Sequence, residues 1–459
     1  MSKSIDLIQL RHSYAPDAAT EKLGQIYTNT SLWTIGAMLQ QKNIDVRLHD
    51  ENIRPADITS DVVGINLLGA PYIPLAIQKI QELKKTYGNQ ISIILGWQVL
   101  TTNGWLTKDQ WNKLFGADVI NGMGNYALEE FFLKSALPKQ EAVSLISMYD
   151  KISDEDFSLY CDHEMSLYVS QWCSQKCSFC AAQKWMTEKY RDMSILEADL
   201  RYVIERAQRL GKSWLKFYMS NLDVFQTPSQ LAFFVTVVQK IKRESPDFNL
   251  TFRWLAGVPF FIKLHEHYPD LIHRLRSIGF TSAWYGVDGV GKKVRQGIKK
   301  PQNNEKNVLD TIRLTREEYD INPELLMVFG HDGIDTEATL QEAYDFTEHM
   351  VNTYQAIPRP HIAKPFIPGN DWRRQDKYQN IINEILIKQP ELFQALDFTA
   401  LPSRITHTNA ALRKLAKEYF LMMCELPGNT TTPIIPYDMG QSRTEIEQIK
   451  MENQWKYDR

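Results

Sequence analysis

The sequence predicts an α/β fold: a Rossmann-like parallel domain, then a (β/α)6 partial barrel, then a mostly helical C-terminal domain. Three observations predict it. Over residues 1–137, short runs rich in β-branched residues alternate with helix-like runs, the pattern of a doubly wound parallel sheet. After a less periodic, acidic stretch at 138–163, six strand-like runs separated by helical ones occupy 164–369, as a partial barrel requires. From 370 to 459 helical patterns take over.

In order, the first domain reads as strand "SIDLIQL", helix "SLWTIGAMLQQKN", strand "DVRLHD", strand "DVVGINLL", helix "PLAIQKIQELKKTYG" and strand "ISIILGW". The short helix "DQWNKLFG", strand "ADVINGM" and helix "YALEEFFLKSAL" complete it. Ligands of such sheets sit at the carboxyl ends of the strands. Those ends carry "LLGAPY" (67–72), "GWQVLTTNG" (96–104) and "NGMGNY" (121–126), whose glycines allow close backbone approach to a large ligand.

The stretch 138–163 reads as a connection. The barrel strands are then "SLYVSQW", "WLKFYMS", "LTFRWLAG", "SAWYGVDG", "ELLMVFG" and "HIAKPFIPG". Between them lie "ILEADLRYVIERAQRLG", "PSQLAFFVTVVQKIKRES", "LIHRLRSIG", "NVLDTIRLTREEYD" and "TLQEAYDFTEHMVN". "DKYQNIINEILIKQ" and "ALRKLAKEYFLMMCEL" are the helices of the last domain, and the tail after 427 is rich in Thr, Pro and charge.

With 459 residues, 43% hydrophobic and 23% charged, the chain has ordinary globular composition. A formal charge of −3 argues against a nucleic-acid surface over the whole molecule. No apolar run reaches the roughly 18 residues of a membrane span, and "MSKSIDLIQLRHSYAP" lacks a secretory pattern. The expectation is a cytoplasmic protein. Five cysteines, three of them clustered, make metal or redox use a better reading than a disulfide framework.

Cys173, Cys177 and Cys180 in "QWCSQKCSFCAAQ" follow the spacing C-x3-C-x2-C just beyond the first barrel strand, where barrel chemistry belongs. Three thiolates on a tight loop can hold three irons of a [4Fe–4S] cluster and leave the fourth without a protein ligand. A sulfonium compound with a free amino-acid end can chelate that open iron. The alternative is a zinc site with Cys161 or His163 as fourth ligand.

With Phe179 just before the last cysteine, the motif resembles the radical S-adenosylmethionine (SAM) enzymes. The resemblance extends along the barrel. "LKFYMSNLDVF" resembles a stretch that meets the SAM amino group and implies Ser220 and Asn221. "AWYGVDG" resembles a segment with Glu where this chain has Asp288. "VRQGIKKPQN" points in the same way to Lys300. "LLMVFGHDGIDTEATLQEAYDF" departs from its family pattern at His331 and Asp332, which marks both as candidates to face substrate. "AKPFIPGNDW" resembles the sixth-strand ending. Tyr190 and Arg191, in "KYRDMS" after the cysteines, are further candidates.

The first domain resembles the cobalamin-binding domain that precedes the barrel in the B12-binding subgroup. On that resemblance Leu68, Gly69, Gly96, Trp97, Gly122 and Gly124 contact cobalamin. The D-x-H-x-x-G signature is absent, as is usual in the subgroup. "GWQ", "NGMGN" and the Leu-Leu pair before Gly69 depart from its loop patterns, and a domain that has lost its ligand is the alternative.

The resemblance implies an enzyme that cleaves SAM to a 5′-deoxyadenosyl radical and methylates an unactivated carbon of a specialised metabolite, amino acid or peptide. It implies a small-molecule or peptide substrate and an external reductant of the flavodoxin or ferredoxin kind. A radical rearrangement or bond formation without methyl transfer, with or without cobalamin, and a non-catalytic zinc-stabilised binding protein are the other readings.

Overall fold

A computed structural model describes residues 4–11, 26–67, 69–96, 107–119, 142–171, 173–175, 177, 180, 189–220, 223–364, 389–438 and 440–457. Its first sheet contains β1 (Ser4–Gln9), β2 (Asp45–Asp50), β3 (Val62–Asn66), β4 (Ser92–Gly96) and β5 (Asp118–Val119). All are parallel, in the order β2-β1-β3-β4-β5, so the winding direction reverses between β1 and β3. The apolar runs of β1, β3 and β4 are buried because helices Thr30–Gln40, Ile73–Tyr87 and Lys108–Phe115 pack on the sheet. Asp6, inside β1, meets His49 Nε2 at 2.7 Å and the amides of Thr59 and Ser60 at 2.9 and 2.7 Å. Burial pushes its carboxyl up, but these partners prevail and hold it below the usual carboxylate range.

The stretch that reads as a connection contains two helices, Ile146–Tyr149 and Asp154–Asp162. Its acidic run is the first turn of the second helix. Ser153 caps that turn, and Asp154, Glu155 and Asp156 complement the helix dipole. Met148, Tyr149, Phe157 and Tyr160 enter a core continuous from the first sheet to the second. Tyr160 donates its hydroxyl to Asp50 at 2.8 Å. A parallel bridge joins Tyr27 to Glu164, and the Ser166 amide donates to Thr28 Oγ1 at 2.7 Å.

The second sheet is the six-stranded half-barrel. β6 (Met165–Leu167) is its first strand. Next, β7 (Ser170–Gln171) and β8 (Lys189–Tyr190) pair antiparallel beside it. The other barrel strands are β9 (Trp214–Met219), β10 (Asn249–Ala256), β11 (Phe280–Gly286), β12 (Asn322–Phe329) and β13 (Ile357–Ile362). They lie in chain order, each parallel to the next. The first strand is shorter than "SLYVSQW" suggests, because its end leaves the sheet for the two-stranded ribbon.

The outward face of the barrel is apolar, and in it Trp254 stacks on Phe280 with ring centroids 3.8 Å apart. The inward face is charged and aromatic. Arg253 forms an ion pair with Glu164, and its guanidinium lies 4.2 Å from the Trp284 ring centroid and 5.3 Å from that of Tyr218. Arg359, 5.6 Å from the same Trp284 ring, pairs with Glu324 at 2.7 Å.

Beyond the barrel lie a 3-10 turn, Pro390–Leu396, and helices Ala410–Cys424 and Arg443–Tyr457. The first helix packs on helix Glu337–Tyr354 and β13, and the turn packs on helix Ile73–Tyr87 of the first domain. The last helix lies in the tail rich in Thr, Pro and charge, within the span read as helical. Among the described residues no helix is long and apolar enough to cross a membrane.

Candidate active site

Cys173, Cys177 and Cys180 follow the β7 strand at the carboxyl end of the barrel. The turn is tight, with the Cys180 amide donating to the Cys177 carbonyl at 3.1 Å. It is anchored on both sides: the Ser174 amide donates to Gln226 Oε1 at 2.8 Å, and Gln302 hydrogen-bonds Gln175. Cys177 is buried and the other two are half-buried. Burial pushes the Cys173 and Cys177 thiols up to about 12. Asp223 and Cys180 add to the effect at Cys173, and Asp288, Cys180 and Cys173 add to it at Cys177, whereas Lys300 opposes it at both. The three sulfurs therefore lie within electrostatic reach of one another, and Cys173 and Cys177 also of one buried cation.

That cation is held by its own loop. Lys300 Nζ pairs with Asp288 and donates to the Gly286 carbonyl at 2.9 Å. Burial alone would lower the amine, but Asp288, Cys177 and Cys173 raise it above its ordinary range. Asp288 sits just past β11 in the left-handed region, φ 58°, and Asn303 Nδ2 reaches the Gly286 carbonyl at 2.7 Å. The short carboxylate at 288 thus has a partner at hand in Lys300.

Asp223 was not among the residues singled out from the sequence. It is fully buried, accepts the Phe225 amide at 3.2 Å, and is pushed up to about 7 by burial. Gly257 leaves room for it, since a Cβ there would stand 2.2 Å from Asp223 Oδ2. The signal was in "SNLDVF", three residues beyond Ser220. Ser220 itself donates to the Leu167 carbonyl at 3.3 Å.

The remaining candidates are placed as follows. Tyr190 is half-buried and pairs with Ser170 across the ribbon. Arg191 is taken up by Asp199 and the Val143 carbonyl in the core, away from a ligand-facing role. His331 is buried and turns its Nε2 back to the Val328 carbonyl at 3.1 Å. Thr408 meets Asp332 at 3.4 Å, and His407 donates to the Gly330 carbonyl at 2.7 Å, so the C-terminal domain closes this strand end. Lys364 joins that roof through the Ala400 carbonyl at 2.7 Å. Phe179, Asn221, Leu68, Trp97, Gly122 and Gly124 lie outside the described residues.

Cys161 and His163 do not join the three cysteines. They precede β6, at the opposite end of the parallel sheet. Cys161 is buried beside Lys212 and Arg206, and His163 is exposed. Among the described residues no group of three or more His, Cys, Asp or Glu side chains is gathered as a single metal ion needs. A [4Fe–4S] cluster instead spreads its thiolates over separate irons. Three neighbouring soft donors beside a buried lysine fit such a cluster.

At the switch point of the first sheet, Gln9 ends β1 only 1% exposed, with neither Nε2 nor Oε1 bonded. It borders a cavity of about 130 Å³ with His49, Asp50 and Tyr160. Gly69 and Gly96 are half-buried at the ends of β3 and β4, and a Cβ on Gly96 would meet nothing within 4 Å. An orphaned amide and open backbone at the switch point fit a large polar ligand.

Comparison with solved structures gives the fold. TsrM from Kitasatospora setae, a radical S-adenosylmethionine methyltransferase solved with cobalamin and a [4Fe–4S] cluster, superposes with a TM-score of 0.56 at 14% identity. The match covers 80% of this chain and 77% of that one. The chain has that fold. OxsB, a cobalamin-dependent S-adenosylmethionine radical enzyme solved with aqua-cobalamin and S-adenosylmethionine, superposes with a TM-score of 0.57 at 14% identity. That match covers 86% of this chain and 56% of OxsB, so the chain spans little more than half the length of that enzyme. No protein-family model and no curated protein sequence matches. The domain order read from the sequence, Rossmann-like, partial barrel and helical, is the one observed.

Proposed function

We propose that the protein is a radical SAM enzyme that binds a [4Fe–4S] cluster through Cys173, Cys177 and Cys180, and cobalamin in its first domain. Its reaction is C-methylation of an unactivated carbon in a specialised metabolite, amino acid or peptide. The observation that supports the reading is the gathering of three thiols at the carboxyl end of the barrel, two of them, Cys173 and Cys177, within electrostatic reach of buried Lys300. The shared fold with two cobalamin-dependent enzymes supports it.

Bound, the cluster and SAM supply one-electron reductive cleavage to an organic radical, and cobalamin supplies the methyl group. The chain's own part is binding, orientation and exclusion of water. Lys300 offsets negative charge at the cysteines, and Asp288 keeps that lysine protonated and fixed. Asp223, Ser220 and Asp288 line the strand ends where the amino and hydroxyl groups of SAM need acceptors. Gln9, Gly69 and Gly96 offer an amide and open backbone to the corrin, and the roof of His407 and Lys364 seals the barrel mouth at β12 and β13.

The test is anaerobic reconstitution with iron, sulfide and hydroxocobalamin, followed by metal analysis and incubation with SAM and a chemical reductant. Four irons and one cobalt per chain, with 5′-deoxyadenosine and methionine formed from SAM, are expected. A colourless, iron-free protein would overturn the reading, and iron without cobalt would remove the methyl transfer from it.

A further inference from the structure

Three lysines are buried among the described residues, and they are not held alike. Lys79 meets Glu51 at 2.7 Å, and Lys300 pairs with Asp288. Lys364, among the same residues, has no acid within ion-pair distance, and its one hydrogen bond goes to the Ala400 carbonyl at 2.7 Å. An unpaired ammonium is costly to bury, so the form that suits this place is the neutral amine. Burial accordingly lowers it to about 7, with Asp397 opposing. A desolvated lysine of this kind is a nucleophile toward carbonyl carbon.

Its place in the fold is a reacting one. Lys364 stands just past β13, at the carboxyl end of the barrel, where the reacting side chains of barrel enzymes gather. Residues 397–400 of the C-terminal domain lie along that strand end. The Ile362 amide donates to the Phe398 carbonyl at 2.9 Å, and the Phe398 ring stands 5.7 Å from that of His361. Arg359 and His361 alternate along β13 with buried residues, and Arg359 reaches Trp284, which puts His361 on the inner face. His361 and Asp397 are both half-buried, so open space reaches this end of the strand. Asp397 lies within electrostatic reach of His361 and Lys364. Its Oδ1 accepts the Thr399 amide and hydroxyl at 2.8 and 2.7 Å, and among the described residues its Oδ2 accepts no hydrogen bond. A carboxylate with one free oxygen near a neutral amine can take and return a proton.

Resting on the proposed radical enzyme for the reaction that follows, we propose that Lys364 captures an aldehyde or ketone substrate as an iminium, with Asp397 as proton relay and counter-ion. The nitrogen lone pair forms the C–N bond, and the π pair of the carbonyl goes to its oxygen. That oxygen leaves as water with two protons, one from the amine and one delivered from solvent through Asp397. The nitrogen keeps its other proton and closes the C=N double bond; nothing is oxidised or reduced. The iminium tethers the substrate at the barrel mouth and draws electrons from the adjacent carbon, which marks that carbon for reaction.

The test is reductive trapping on the reconstituted full chain at about pH 7. Propanal is the carbonyl probe, and cyanoborohydride converts its iminium to a stable propyl-lysine that digestion and mass spectrometry locate. Lys364 should label about tenfold or more faster than Lys414 and Lys417, which are exposed on helix Ala410–Cys424 and almost wholly protonated. Unfolding in urea should abolish the difference. D397N should slow labelling of Lys364 by about tenfold or more and leave Lys414 and Lys417 unchanged.

Labelling of wild-type Lys364 no faster than that of Lys414 and Lys417 would overturn the proposal, since a site closed to propanal cannot capture a carbonyl substrate. Unchanged labelling of Lys364 in D397N would overturn the relay. The absorption spectrum taken before labelling reports the iron cluster separately. A protein that labels at Lys364 and holds no cluster would keep the capture and overturn the proposed function.

Discussion

Lys300 and Asp288 form an ion pair beneath the cysteine turn, with side chains only 10% and 8% exposed, although both belong to the one loop that leaves β11. The left-handed backbone at Asp288 turns its carboxylate back toward the amine, and the Gly286 carbonyl takes a second of the amine's protons. Removing one partner leaves the other charge buried and unpaired, which costs far more than the pair contributes. K300M should therefore lose about 3–5 kcal/mol of stability in the apo-protein. D288N/K300M should lose clearly less than the sum of the single variants, as read from denaturation midpoints in a double-mutant cycle. Additive losses would mean that the two groups do not interact.

Asp223 gives a pH dependence of defined sign. Burial pushes its carboxyl up to about 7, against the Gly257 and Phe225 amides and Lys300, which favour the anion. The unfolded value is near 3.9. Between those values the folded state holds a proton that the unfolded state releases. The contribution is thus fully present below about pH 4, is lost as pH rises to about 7, and is level above. D223N removes the titration. Relative to wild type it should gain stability across that window by up to about 1.4 kcal/mol per pH unit. Parallel stability curves for the two proteins would show that Asp223 is ionised in the fold.

The roof over β12 and β13 should respond in the opposite sense. Burial lowers His407 to about 3, with Lys364 adding to it, and lowers Lys364 to about 7. Each is a base that holds fewer protons folded than unfolded. Stability climbs with pH from about 3 to 6.5 through His407 and from about 7 to 10.4 through Lys364. H407Q keeps a donor for the Gly330 carbonyl and should remove about one proton from the acid-side slope. K364M should do the same on the alkaline side. Hydrogen exchange of helix Ala410–Cys424 as a function of pH reads both, and unchanged slopes would mean that these groups are solvated.

What the sequence revealed and what it hid have physical causes. The alternation of β1 to β4 was legible because parallel strands covered by helices on both faces read as apolar runs such as "ISIILG". The barrel strands alternate more strictly, as in "LTFRWLA", and that pattern also describes a strand facing water. Arg253 therefore gave no sign of its place between Tyr218 and Trp284, because its partners come from β9, β11 and Glu164. Helix Val258–His267 was passed over because Val258, Pro259 and two phenylalanines follow Gly257 and obscure its period. At the site, the cysteine spacing was local and legible, whereas Asp288 and Lys300 entered only through a resemblance, because their pairing depends on how the segment after β11 folds back. Asp223 and Lys364 depend on burial by distant segments, which no local pattern reports.

Gly279 links backbone conformation to the site. It enters β11 at φ +108°, a region that L side chains rarely adopt, and a Cβ there would lie 1.9 Å from the Leu250 carbonyl oxygen. The Gly279 carbonyl accepts the Phe252 amide at 2.8 Å, so this residue sets β11 against β10. Gly211 provides the comparison, since its φ of +75° is also positive but a Cβ there would meet nothing within 4 Å. G211A should cost about 1 kcal/mol, the left-handed penalty alone. G279A adds a clash with fixed backbone and should cost at least about 3 kcal/mol. Because β11 delivers Asp288 to Lys300, any G279A protein that folds should also bind iron less completely after reconstitution, whereas G211A should load as wild type does. Equal stability of the two variants would show that β10 can yield at Leu250 and that the approach of the two strands is not fixed there.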